Sequence, residues 1–290
     1  MSSVSIAAAR ILSLLKLRIG VAIAASAVAG MAAAEGPALA PTAAALFALA
    51  VLGGAGAAGA FNHYYDRDID ARMTRTRGRP FATGDLCANG WWLLSFGVLL
   101  AASLALAAAT GGVVAAIYVF LGAFTYGVVY TVWMKRRTVW NIVVGGLAGS
   151  FAVLAGAAAV DPAPQAVPVV LALVMFLWTP PHFWSLAAAR HADYAAARVP
   201  MLPIVAADRV WTLVVLLHAA ALLALSLVPL GFGLGWLYGL CAAAGGGYFV
   251  WRSWRLYRAP DRKAAMDNFK ASLIQLTLLV LGIILDAAIG

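Results

Sequence analysis

Apolar runs of about twenty residues alternate with short polar segments along almost the whole chain. Nine such runs fall at 17–34, 42–61, 89–109, 113–134, 139–160, 169–188, 210–230, 235–251 and 269–288. A helix needs about 20 apolar residues to cross the hydrocarbon core of a bilayer, and helices satisfy their own backbone there. The pattern predicts an all-α polytopic membrane protein with nine transmembrane helices. A Gly111-Gly112 pair divides the third and fourth runs, Lys135-Arg136-Arg137 makes a tight basic turn, and three prolines mark 161–168 as a loop. The sixth run contains Trp178-Thr179-Pro180-Pro181-His182. Its two prolines are expected to break or kink the helix. Ala32-Ala33-Ala34 has the form of a signal-peptide cleavage site, but a retained first helix gives every later run a consistent topology.

The polar positions are one-sided. All 20 Lys and Arg lie in the partly amphipathic lead at 1–15 (Arg10), in the loops after runs two, four, six and eight, or at the helix ends beside them. The loops after runs one, three, five and seven and the C-terminus hold only Glu35, Asp161 and Asp286. Positive charge stays cytoplasmic, so the N-terminus is expected inside and the C-terminus outside. With 64% hydrophobic and 11% charged residues and a mean hydropathy of +0.92, a soluble domain is excluded. The net charge of +9 therefore reads as topology and anion binding, with no nucleic acid partner. Cys87 and Cys241 have no metal spacing and read as packing residues. The Ala and Gly content suits helices packed closely in lipid.

The second run leads into Asn-His-Tyr-Tyr-Asp-Arg-Asp-Ile-Asp at 62–70. Asn62, Asp66 and Asp70 stand at i, i+4 and i+8, a spacing that drifts by only about 40° per step on a helix. Three oxygen-bearing side chains then share one face, while Arg67 and Asp68 turn elsewhere. Such donors suit Mg²⁺, which takes a few carboxylates together with phosphate oxygens. Arg72, Arg75, Arg77 and Arg79 follow before Pro80 and suit phosphate. A metal–diphosphate site at a membrane helix end is the reading; a solvated loop that merely fixes topology is the plain alternative.

Run six ends in a second polar segment. It carries His182, Arg190, His191, Asp193, Tyr194 and Arg198 and closes on Val199-Pro200-Met201-Leu202-Pro203. Two polar segments four spans apart on one side suggest a parallel repeat: four-helix halves at about 17–134 and 139–251, plus a last helix at about 269–288. The whole then forms a single domain.

The stretches 62–80, 130–141 and 178–203 resemble the protoheme IX farnesyltransferases (haem O synthases), a branch of the UbiA-type intramembrane prenyltransferase superfamily. The resemblance covers nearly the whole chain. It implies a nine-helix bundle and transfer of a farnesyl group from farnesyl diphosphate to a vinyl group of haem b. It implies Mg²⁺, and haem A synthase or cytochrome oxidase assembly proteins as partners at a bacterial inner membrane, with the site facing the cytoplasm. By motif match, Asn62, Asp66 and Asp70 carry the first metal–diphosphate cluster and Asp193 supplies a carboxylate from the second. Lys135 and Arg136 match the basic turn facing the diphosphate. Arg67, Arg72, Arg75, Arg79 and Tyr194 join the substrate-binding set, and His182 is the candidate contact to the acceptor. This chain departs from the family at Ala192, where an acid is frequent, at His191 for Lys and at Arg198 for Gly.

Three other readings compete. Another aromatic acceptor, a quinone precursor or chlorophyllide, is disfavoured by Thr-Pro-Pro-His-Phe-Trp. An ion-coupled transporter would carry its carboxylates near the bilayer midplane, whereas these cluster at one face. A haem electron-transfer subunit needs paired axial histidines in the bilayer, and only His218 lies clearly inside a run, where packing explains it. His63 reads equally as a supporting residue beside Asn62 or as loop.

Overall fold

The computed structural model describes residues 12–289; the greater part of the lead, with Arg10, lies outside the described residues. All regular secondary structure among those residues is helical, with no strand among them. The long helices are α1 (Leu17–Ala32), α2 (Pro41–Tyr65), α3 (Gly90–Phe124), α4 (Leu147–Val160), α5 (Ala166–Ala189), α6 (Asp208–Leu227), α7 (Trp236–Arg258) and α8 (Arg262–Ile289). Successive helices pack side by side, α1 also packs against α4, and α8 returns to α5 and α1 to close the bundle.

Six helical segments are long and apolar enough to cross a membrane. They differ from the nine runs for three reasons. α1 is only 16 residues long. α7 forms, but its glycines, aromatic residues and arginines make it less apolar. α3 and the wide turn after it form one segment, Gly90–Met134, which folds back at Gly112. That glycine has φ 84° and ψ 170°, a conformation that favours glycine. A Cβ on Gly54 would meet both Val119 (3.1 Å) and Leu100 (4.0 Å). Residues nineteen apart on a straight helix lie about 28 Å from each other, so 90–111 and 113–124 are antiparallel.

Small residues set the closest crossing. A Cβ on Gly30 would lie 2.1 Å from the Val153 carbonyl oxygen, and one on Gly156 only 1.8 Å from that of Ala27. α1 and α4 thus touch backbone to backbone through reciprocal glycines, the packing open to small residues in lipid. Large apolar side chains such as Trp91, Val98, Ile117 and Leu217 face outward, as suits contact with acyl chains.

Two expectations are corrected. α5 runs through Pro180 and Pro181 as one continuous helix to Ala189. The prolines withdraw the donors for the carbonyls of Phe176 and Leu177, and Gly146 packs closely there, where a Cβ would lie 3.4 Å from the Phe176 oxygen. Tertiary packing thus holds the helix where local preference would end it. α8 begins at Arg262, seven residues before the apolar run, because Asp261 caps it by accepting the Ala264 N–H (2.7 Å).

Candidate active site

The site is built on the C-terminal end of α2. Asn62, Asp66 and Asp70 are 2%, 0% and 2% exposed, whereas Arg67 and Asp68 are exposed. α2 hands over at Asp66 to the short helix Arg67–Asp70. The Asp66 N–H bonds the Asn62 carbonyl (2.9 Å) and the Asp70 N–H that of Asp66 (2.8 Å). Helical spacing therefore persists across the junction.

Cations converge on these oxygens. Asn62 Nδ2 donates to Asp66 Oδ2 (2.7 Å) and to Thr131 Oγ1 (2.9 Å). Lys16 Nζ donates to Asn62 Oδ1 (2.6 Å) and to the Tyr126 hydroxyl (2.9 Å). Lys135 pairs with Asp66 Oδ2. Arg136 Nη2 lies 3.3 Å from Asp66 Oδ1, and the same guanidinium grips Asp68 through two 2.7 Å bonds. Arg79 Nη1 donates to Asp70 Oδ2 (2.6 Å). Burial first, then the Arg79 and Lys135 cations, push the Lys16 ammonium pKa well below its ordinary value. The Arg136 bond holds the Asp68 carboxyl below the usual range, and Asp68 raises Arg136 in turn.

A π-helix, Thr125–Met134, delivers the basic turn. Its i→i−5 bonds include Lys135 N–H to Tyr130 O (2.8 Å), and the Thr131 hydroxyl donates to Tyr126 O (2.8 Å). The Tyr126 and Tyr130 rings stack at 5.7 Å, beneath Lys16 and Lys135 respectively. Asn141 Nδ2 donates to Thr138 O (2.6 Å) and Pro200 O (3.3 Å), tying this turn to the second polar segment.

That segment docks on the first. Tyr194, Val199 and Met201 share a buried apolar cluster with Ile69 and Met73. Asp193 Oδ1 accepts the Thr74 N–H (3.0 Å), so its carboxylate holds the arginine-bearing loop. Arg67 donates to Tyr64 O (2.8 Å) and lies over that ring; Arg72, Arg75 and Arg77 are exposed. Among the described residues no three His, Cys, Asp or Glu side chains converge as a metal group. The hard oxygens of Asn62, Asp66 and Asp70 nonetheless fit Mg²⁺ chemically. Their cationic partners are the kind that an incoming diphosphate draws to itself.

His182 stands apart, between α5 and α8. It contacts Trp178, Phe183, Phe269 and Ser272. His63 is buried in the last turn of α2, and neither ring nitrogen has a hydrogen-bond partner among the described residues. Sequence reasoning missed Lys16, Tyr126, Thr131 and Ser272 as site residues. Only Lys16 carried a signal, as an isolated cation at the head of an apolar run.

Arg198, where the resemblance implies Gly, closes a short helix in a left-handed conformation. The His191–Ala196 helix ends with the Arg198 N–H on Ala195 O (3.0 Å) and the Val199 N–H on Tyr194 O (3.1 Å), a Schellman closure. Arg198 occupies its left-handed position, φ 55°, and is exposed. Arg198→Gly is expected to stabilise the protein by about 1 kcal/mol. Thermal unfolding in detergent checks this, and a lower midpoint would refute it.

A model of the UbiA prenyltransferase family matches residues 23–278. "Protoheme IX farnesyltransferase 2" of Paramagnetospirillum magneticum is 56% identical over 276 residues, covering 94% of this chain and 95% of that one. "Protoheme IX farnesyltransferase 1" of the same organism is 46% identical over 95% and 97%. Among solved structures, a UbiA homolog from Archaeoglobus fulgidus bound to GPP and Mg²⁺ superposes with TM-score 0.74 at 16% identity, covering 95% of this chain and 99% of that one.

Proposed function

Because this chain belongs to the UbiA prenyltransferase family, we propose that it transfers a farnesyl group from farnesyl diphosphate to a vinyl group of haem b and adds water, giving haem O. The observation that carries this reading is the Asn62–Asp66–Asp70 face with Lys135, Arg136 and Arg79 on its carboxylates. It occurs in a chain 56% identical to a protoheme IX farnesyltransferase. Oxygen donors ringed by cations at a helix end suit a diphosphate, and do not suit an ion carried through mid-membrane.

Asn62, Asp66 and Asp70 would hold Mg²⁺, with Asp193 supporting them from the facing segment. When bound, the ion would neutralise part of the diphosphate charge. Lys135, Arg136, Arg79 and Lys16 bind the diphosphate oxygens, and the flanking Arg67, Arg72 and Arg75 draw the anion in. Tyr194 fixes the second segment beside them. The allylic C–O bond breaks, and its electron pair leaves with the diphosphate. The apolar helices keep water from the allylic cation. The haem vinyl π pair then forms the new C–C bond. The porphyrin-stabilised cation takes a water oxygen, whose proton is released. His182 contacts the haem acceptor.

The bundle crosses the bacterial inner membrane nine times, N-terminus and active site on the cytoplasmic side and C-terminus outside. Gly90–Met134 contributes two crossings, and α1 and α7 one each. The halves at about 17–134 and 139–251 repeat one another around the site, with 269–288 added last. Farnesyl diphosphate, haem b and the bilayer are its partners, with haem A synthase or oxidase assembly proteins receiving the product.

Mass spectrometry of haems extracted from cells with and without the protein tests the reaction. A farnesylated, hydrated haem is expected only with it, and haem b alone in both would refute the reading. For topology, single cysteines placed in a protein lacking Cys87 and Cys241 are expected to label at Glu35 and Asp161 from outside, and at Arg77 from the cytoplasm alone. Labelling of Arg77 and Asp161 from the same side would overturn the nine crossings.

A further inference from the structure

His182 is 7% exposed, and almost every part of its ring is engaged. Trp178 stacks on it at 4.2 Å and 21°, and Phe269 lies at 4.5 Å and 33°. Two rings so close and so nearly parallel cannot share one face, so both faces are covered. Phe183 meets it edge-on at 4.9 Å. Trp178 is itself anchored, its Nε1 donating to the Ser272 carbonyl (2.9 Å). The ring can therefore neither flip nor tilt without disturbing α8.

Ser272 decides which nitrogen carries the proton. Its Oγ lies 2.7 Å from His182 Nδ1 and donates to the Phe269 carbonyl, also at 2.7 Å. A hydroxyl has one proton. With that proton given to Phe269, Ser272 accepts from the ring and Nδ1 is the N–H, the tautomer on which the proposal below is built. No carboxylate is among the contacts of the ring, and a buried imidazole without a counter-charge is neutral. Nε2 then bears the lone pair, and no hydrogen bond from the described residues meets it.

A lone pair at Nε2 distinguishes two ways of holding a haem. A propionate only accepts hydrogen bonds and would find no donor there. Iron is a Lewis acid and takes an imidazole lone pair directly. We propose that His182 Nε2 is an axial ligand to the iron of the haem acceptor. Ser272 is the positioning residue that fixes its tautomer and ring plane. This rests on the haem reading of the proposed function and names the atom through which the acceptor is held. Ser272 acts as an outer partner of the ligand, strengthening its donation to the metal.

Ferrous haem b titrated into the purified full-length protein, read by resonance Raman and absorption, tests this. Wild type is expected to show an iron–imidazole stretching band. His182→Ala should lose the band, and added imidazole should restore it. Ser272→Ala should keep the band at lower frequency, with haem affinity down about tenfold. Both variants should bind a farnesyl thiodiphosphate like wild type, which reports that they fold. An unchanged band in His182→Ala overturns the ligand, and an unshifted band in Ser272→Ala overturns the positioning role. Should His182→Ala fail to fold, the Ser272→Ala frequency alone decides. Cells that make farnesylated haem while His182→Ala keeps the band would refute this inference alone. Cells that make none would refute the underlying reaction.

Discussion

Asp66→Ala is expected to lower prenyl transfer about a hundred- to a thousandfold while the protein still inserts and folds. Asp66 is fully buried and accepts from Asn62, Lys135 and Arg136 together. Removing one preorganised group that stabilises charge in the transition state costs about 3–4 kcal/mol of activation free energy. At 1.36 kcal/mol per tenfold, that corresponds to about two to three decades in rate. Lys135 would lose its carboxylate partner, and the oxygen set for Mg²⁺ would lose its central member. Asp68→Ala is the matched control. Asp68 is exposed, and its pair with Arg136 is a surface pair worth about 0–1 kcal/mol, so activity should stay within about fivefold. Turnover of labelled farnesyl diphosphate by both purified variants decides it. A larger loss in Asp68→Ala than in Asp66→Ala would show that the buried face is not the reactive one.

The second large effect is on the fold. Gly156→Ala is expected to destabilise by about 3 kcal/mol or more, because its Cβ would stand 1.8 Å from the Ala27 carbonyl oxygen. The obstacle is backbone on the neighbouring helix, so no rotamer change relieves it, and α1 must move away from α4. That movement would also open the Gly30–Val153 approach a turn or so away. Gly97→Ala is the control, with open space around the added methyl and an expected gain of about 0.5–1 kcal/mol from helix propensity. Thermal midpoints of the two variants in one detergent measure both. Equal midpoints would mean that the α1–α4 crossing yields more easily than its geometry implies.

What the sequence disclosed and what it hid divide along a physical line. Asn62, Asp66 and Asp70 were legible because helical spacing is local: four residues apart is one face. The hairpin at Gly111-Gly112 was legible for the same reason, since a flexible pair interrupts two apolar runs. The start of α8 was not, because hydropathy marks only the lipid-crossing part of a helix, and 262–268 is polar. The continuity of α5 through Pro180 and Pro181 was hidden because neighbouring packing overrides a local rule. Lys16 meets Asn62 across 46 positions and Ser272 meets His182 across 90. No spacing in one chain announces such encounters. Asp193 was singled out from the second segment, but its bond to the Thr74 N–H left no trace in the sequence, since any residue has a backbone amide.

The π-helical turn of Thr125–Met134 has a consequence for how this gene can change. Such a turn is an α-helix with one residue too many, accommodated by widening rather than by ejecting it. A single-codon deletion within 125–134 would let the segment relax to ordinary α-helix. Everything after it would then rotate by about 100° relative to the upstream helix. Lys135 and Arg136 would swing off the Asp66 face together, although neither would have been altered. Substitutions along this segment should be tolerated far better than any change in its length.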